Sequence, residues 1–182
     1  MSGLLVRRAS PPGEGHGFKS DGSNLPWVID NLRRVSERRY REWVACLCAT
    51  LPEIEGTRVV EREDDRHRYL AVRHSGGEEI PSWMTSEGTL RFLALTIPAF
   101  LPDSRDVYLI EAPENGLHPR AVEALFRSLS SVAEAQVFLA THSPVILNAA
   151  EPAQVLCFAK TGEGAVDIAC GADHPALSDP KE

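Results

Sequence analysis

Asp106–Pro119, DVYLIEAPENGLHP, decides how the rest of this chain is read. Its first half is a short apolar strand pattern, Val107–Ile110, closed by a carboxylate at Glu111. Its second half is a polar turn, with Gly116 allowing a tight bend and Pro119 suited to the first turn of a helix. Upstream, Ser82–Leu95 (SWMTSEGTLRFLAL) sets Leu90, Leu93 and Ala94, with Ile97 beyond, on one helical face. Downstream, Ala121–Ala133 presents Val122, Leu125, Phe126, Leu129 and Val132 at helical spacing. Val137–Ala140 is a second apolar strand running into Thr141-His142-Ser143-Pro144, and Val155–Ala159 is a third. Strands alternating with helices predict an α/β layer with a mainly parallel sheet of buried strands.

The region before Ser82 reads differently. Asn24 is placed to cap a helix with Pro26 in its first turn and Leu25, Val28, Ile29, Leu32 and Val35 on one face. A second helix is expected over Arg39–Thr50, with Trp43, Val44 and Leu47 inward. Thr57–Arg62 and His67–His74 read as strands around a charged turn, Glu63-Asp64-Asp65-Arg66, with Glu79–Ser82 as a short third strand. Residues 1–23 are rich in Gly, Ser and Pro without a hydrophobic period, and are expected to form a loose, flexible leader. Four segments result: the leader 1–23, a helical and β-hairpin region 24–81, the α/β region 82–170, and a polar tail 171–182 expected to fray.

Composition narrows the function classes. At 182 residues, with 43% hydrophobic and 25% charged residues, the chain has the make-up of a soluble globular domain with a real core. No apolar run approaches the ~18 residues of a membrane span, and the N-terminal apolar patch is too short for a secretory signal. Cys46, Cys48, Cys157 and Cys170 follow neither zinc spacing nor a disulfide framework, so a reduced, cytoplasmic protein is expected. A net charge of -7 gives no support to a DNA-binding surface covering the domain. The local arginines, Arg33, Arg34, Arg38, Arg39 and Arg41, spread around a helix rather than forming a stripe and fit a solvated surface.

Ser86-Glu87-Gly88 at a helix start, the VYLIE strand, the Pro-Glu-Asn-Gly-Leu-His-Pro turn and the Ala-Thr-His-Ser-Pro strand end form one constellation. It resembles the C-terminal half of an ABC-type ATPase head of the RecF-like and SMC-like kind, within the AAA-family ATPases. The resemblance covers residues 82–159 through specific motifs. It covers 21–72 more loosely, where Asp21-Gly22-Ser23-Asn24-Leu25 is similar to the segment following the nucleotide-entry half. It implies an α/β fold that is a partial P-loop NTPase: a parallel sheet flanked by helices, with a small β-hairpin and helical insertion before it.

The same resemblance implies roles. Glu111 takes the place of the Walker B acid, with Glu for the commoner Asp, and would hold Mg²⁺ directly or through water. A strand-end Glu that simply reaches solvent would look the same in sequence. Ala112 stands where such heads carry the catalytic Glu, and alanine has no proton acceptor. A positioned general base contributes about 10²–10⁴-fold, so slow hydrolysis is implied. Glu114 lies in the turn after Pro113 and is not expected to face the same water. The loop Pro113–Pro119 resembles the D-loop that crosses the dimer interface between two nucleotides, which puts Asn115 among the nucleotide-binding residues. Ser86, Glu87 and Gly88 resemble the signature turn that presses on a γ-phosphate held by the opposite subunit, with helix N-terminal amides favouring the anion. Ser86 as a plain N-cap accounts for the same residues. His142 matches the switch histidine that hydrogen-bonds the γ-phosphate, while Thr141 and Ser143 would also serve as caps around a purely structural histidine.

The first half of such a head, with its phosphate-binding P-loop, has no counterpart in these 182 residues. GEGHGFKSDGS falls short because Phe18 separates Gly17 from Lys19 and no apolar strand precedes the glycines. ATP and Mg²⁺ therefore enter through the resemblance, and nucleotide binding by this chain alone is expected to be weak or absent. The implied partner is a P-loop-bearing ATPase half in a homo- or heterodimer, with a nuclease or other effector of a DNA-repair or phage-defence system beside it. Three readings stay open: the signature and Walker B half of a split ATPase, a non-hydrolysing interaction module, and a truncated ATPase remnant. The membrane has no part in any of them.

Overall fold

The computed structural model describes residues 3–13, 17–102, 106–132, 134–162 and 164–173. It divides into two compact units, Met1–Thr141 and His142–Glu182. The first holds helices α1 (Gly3–Val6), α2 (Leu25–Val35) and α3 (Glu37–Thr50), then strands β1 (Ile54–Glu61), β2 (Arg68–His74) and β3 (Glu79–Pro81). It continues with α4 (Glu87–Thr96), β4 (Val107–Glu111), α5 (Pro119–Ser130) and β5 (Gln136–Ala140). The second holds α6 (Pro144–Ala149), β6 (Leu156–Lys160) and β7 (Val166–Cys170).

Strands β1, β2 and β3 form an antiparallel sheet in that order, while β4 and β5 form a parallel pair. α2 and α3 lie on the antiparallel sheet, and α4 lies against α1 and α5. Trp43, Leu47, Phe92, Leu93, Ile97 and Leu125 are fully buried where these elements meet. Two polar groups in that core satisfy each other: the Trp43 indole N–H donates to Thr96 Oγ1 at 3.1 Å, and Thr96 donates to the Phe92 carbonyl at 2.8 Å. Pairing of this kind is what allows a tryptophan to be wholly buried.

The described residues of the first 23, 3–13 and 17–23, differ from the loose leader expected. Val6 and Ser10 are buried, and Ser10 exchanges backbone hydrogen bonds with Arg68 on β2, at 2.7 and 2.9 Å. Asn24, fully buried, accepts from the Lys19 amide at 3.0 Å and donates to the Gly17 carbonyl at 2.8 Å. It holds the N-cap position of α2 without capping it, because its side chain closes the preceding loop instead. Hydrogen bonds rather than an apolar period order this stretch, so hydropathy gave no sign of it. Residues 1–2 and 14–16 of that leader lie outside the described residues, as do 174–182 of the tail.

Other boundaries move for local reasons. Val35, expected inward, ends α2 and is exposed. α3 starts two residues early because Ser36 accepts from the Arg39 amide at 3.4 Å. α5 begins at Pro119, with His118 Nδ1 accepting from the Arg120 amide, and it ends at Ser130 rather than 133.

The larger correction concerns the sheet, which is parallel only in part. β6 was expected as a third buried strand of the α/β layer. It pairs antiparallel with β7, leaving Leu156, Phe158, Val166 and Ile168 exposed. β4 and β5 are buried on one face only. Tyr108, Ile110, Val137 and Leu139 are at least half-buried, whereas Val107, Leu109 and Phe138 point out at 57%, 79% and 50% exposure. Ile110, Val137 and Leu139 pack on the core from one side of this pair, and among the described residues of the first unit nothing covers the other.

Candidate functional site

The parallel register ends at Glu111 opposite Ala140, and the Ala112 amide adds one further bond to the Ala140 carbonyl at 2.8 Å. Both strands thus deliver their carboxyl ends to the same edge, where α/β sheets bind ligands. Glu111 closes β4 and is exposed. Ala112 follows with φ +43°, a left-handed conformation that alanine adopts at a cost. That rotation turns the chain sharply: the Asn115 amide bonds back to the Ala112 carbonyl at 3.1 Å, and the Leu117 amide to the Glu114 carbonyl at 3.0 Å. Gly116, at φ +74°, completes the bend as its sequence position predicts.

Two elements grip this loop from outside. From α4, the Arg91 guanidinium donates to the Ala112 carbonyl at 2.7 Å and reaches the Glu111 carbonyl at 3.5 Å. One turn earlier, a Cβ on Gly88 would stand 2.4 Å from the Gly116 carbonyl oxygen, so only glycine lets the helix start approach the loop this closely. From the end of β5, the Thr141 hydroxyl donates to Glu114 Oε1 at 2.9 Å.

The residues singled out in sequence separate accordingly. Ser86, Glu87 and Gly88 at the start of α4 meet the loop 111–117, which carries Glu111, Ala112 and the exposed Asn115. The Ser86 hydroxyl accepts from the Thr89 amide at 3.1 Å and donates to Thr89 Oγ1 at 2.8 Å, which is the ordinary cap arrangement. His142 is exposed and belongs to the second unit. Ser143 occupies the N-cap of α6 without a side-chain cap bond, and Thr141 turns to Glu114 instead of capping. Sequence reasoning missed Arg91 and set Glu114 aside. Arg91 had a usable signal: it lies three residues after Gly88, on the same helical face.

No group of three or more His, Cys, Asp or Glu side chains comes together to hold a metal among the described residues. One strand-end carboxylate is compatible with Mg²⁺, an ion that commonly keeps its waters and binds through one or two carboxylates plus substrate phosphates. No helix of the described residues is long and apolar enough to cross a membrane.

Residues 3–148 match the family model described as "AAA domain, putative AbiEii toxin, Type IV TA system". The chain belongs to this AAA-domain family. No curated protein matches it. Among solved structures it is similar to a chain from work on ATP-driven dimerization and DNA-stimulated activation of SMC ATPases, at 17% identity and TM-score 0.56. That match covers 78% of this chain and 88% of the other. An SmcHead bound to the C-winged helix domain of ScpA aligns at 14% identity and TM-score 0.63, covering 85% of this chain and 52% of that one. An Smc head domain with an extended coiled coil, bound to the C-terminal domain of ScpA from Pyrococcus furiosus, aligns at 17% identity and TM-score 0.57. There the coverage is 78% and 36%, so the chain spans about half or less of the two Smc heads. At these identities the likeness is one of fold alone: an α/β architecture with mixed sheets and flanking helices, similar to that of the Smc head domains.

Proposed function

We propose that this chain supplies the signature and Walker B half of a composite ATP site, completed by a P-loop-bearing half. That half belongs to a second polypeptide or to another segment of the same protein. The observation that carries the reading is the bare apolar face of β4 and β5, formed by Val107, Leu109 and Phe138. Parallel sheets are as a rule covered on both faces, and a half-covered pair is what a head lacking its first half would leave. Membership of an AAA-domain family and the SMC-head likeness support the same conclusion.

In this reading Glu111 would hold Mg²⁺, which would supply charge stabilisation to the nucleotide's phosphates. Ser86, Glu87 and Gly88, with Asn115, face the nucleotide held by the partner half, and His142 is assigned to the γ-phosphate from its place in the sequence alone. Ala112 leaves the position of the catalytic Glu without a proton acceptor, so turnover is slow. The family description names a type IV toxin–antitoxin system, which favours a defence setting over DNA repair; a nuclease or other effector alongside remains part of the proposal. Exposed Glu111 and a capped helix start suit an ATP-dependent clamp as well as an ATPase.

Ala112→Glu separates these outcomes. Mixed with a P-loop-bearing head half of the family, the variant should hydrolyse Mg-ATP about 10²-fold or more faster than the unaltered chain. Equal, negligible rates would leave an interaction module or a remnant as the better description.

A further inference from the structure

We infer that Arg91 on α4 is the positioning residue for Glu111, fixing the backbone at the end of β4 from which that carboxylate would reach Mg²⁺. This rests on the composite ATP site proposed above and names the side chain that joins its two parts, the start of α4 and the end of β4. The strand ladder alone does not set this geometry. It ends with the Ala112 amide on the Ala140 carbonyl at 2.8 Å, and Ala112 itself stands at φ +43°. A left-handed alanine persists only where its surroundings determine it. Two donors do so at the Ala112 carbonyl: the Asn115 amide at 3.1 Å from within the loop, and the Arg91 guanidinium at 2.7 Å from α4. The same guanidinium nitrogen also reaches the Glu111 carbonyl at 3.5 Å.

Arg91 therefore acts on the two residues at which the strand turns into the loop. Gly88 on the Gly116 carbonyl and Thr141 on Glu114 hold the loop further along. Glu111 is exposed, so the fold directs its carboxylate through the backbone rather than through packing of the side chain. Leu90, Phe92 and Leu93 beside Arg91 are fully buried, so the guanidinium is presented from a helix anchored in the core. Groups that orient a metal ligand from behind matter to the metal: their loss typically costs about 10–100-fold in affinity. A guanidinium that only pinned α4 to the loop would make the same contacts, and magnesium dependence separates the two roles.

The experiment compares the unaltered full chain, R91A and R91K, each complexed with a P-loop-bearing head half of the family. ATP binding is followed by titration calorimetry over a range of Mg²⁺ concentrations and in EDTA. The Asn115 amide still satisfies the Ala112 carbonyl in R91A, so that variant should fold. It is expected to need about 10–100-fold more Mg²⁺ for half of its magnesium-dependent gain in ATP affinity, with affinity in EDTA unchanged within about twofold. R91K, whose ammonium can supply a single donor to the Ala112 carbonyl, should recover most of the loss. In the uncomplexed chain, exchange of the Ala112 and Asn115 amides should quicken in R91A and slow again in R91K. An unchanged magnesium midpoint or unchanged exchange in R91A would overturn the inference and leave the composite site standing. So would affinity lost equally with and without Mg²⁺, or R91K no better than R91A, either of which marks a merely structural role. If the unaltered complex itself binds no Mg-ATP, the composite site fails and this inference fails with it.

Discussion

Ala112 concentrates the tension in this site. It is one of two non-glycine residues at positive φ among the described residues, the other being Arg66 in a hairpin turn. A left-handed L-residue costs roughly 1–2 kcal/mol, and glycine returns part of that in chain entropy. Ala112→Gly should therefore raise unfolding stability by about 0.5–1 kcal/mol in urea titrations; a loss of stability would mean that the methyl group packs productively. Gly88 is the opposite case. A Cβ there would meet a backbone carbonyl at 2.4 Å, and Gly88→Ala should cost about 1–3 kcal/mol as the helix start is pushed off the loop. An unchanged midpoint would show that the loop gives way freely. Glu111, Ala112, Gly88 and Asn115 stood out in the sequence through the family resemblance of their motifs. The sequence hid Glu114, because nothing in a linear string shows that a left-handed alanine folds the turn back onto Thr141.

Among the elements, the β1–β2 hairpin carries the densest charge. Arg62 hydrogen-bonds Asp65 across the turn and holds its carboxyl down at about 2, with help from the His67 amide. The folded-state pKa is depressed from 3.8, so this contribution is fully present above about pH 3.8 and fades as pH falls through about 2. Amide exchange at His67 should accelerate over that interval in the native chain and not in Asp65→Asn. A flat profile would show that the turn is set by backbone geometry alone. Helices and antiparallel strands of this region were readable to within a few residues, since apolar period and turn residues agree there. The hairpin of β6 and β7 was half-readable: the Val166-Asp167-Ile168 alternation after Gly162 and Gly164 signals a strand, yet β6 was assigned to the parallel layer by its apolar run alone. Short apolar runs carry no information about their neighbour.

For the whole molecule, the decisive property is the one-sided cover of the first unit's parallel pair. Leu109 at 79% and Phe138 at 50% exposure form part of an apolar face that water should disfavour. Leu109→Lys with Phe138→Lys should reduce self-association in sedimentation velocity while leaving the melting midpoint nearly unchanged, because neither side chain belongs to the buried core. A large drop in stability would place them inside the fold. Composition alone could not show this face: hydrophobic content is ordinary, and it is the one-sided cover that is not.

The most direct measurement of the central claim is Mg-ATP binding by titration calorimetry, with the chain alone and with a P-loop-bearing head half of the family. Heat that appears only when both halves are present, beyond what the P-loop half gives by itself, is the predicted result. Tight binding by the chain alone, or no added heat when it joins the other half, would contradict a composite site.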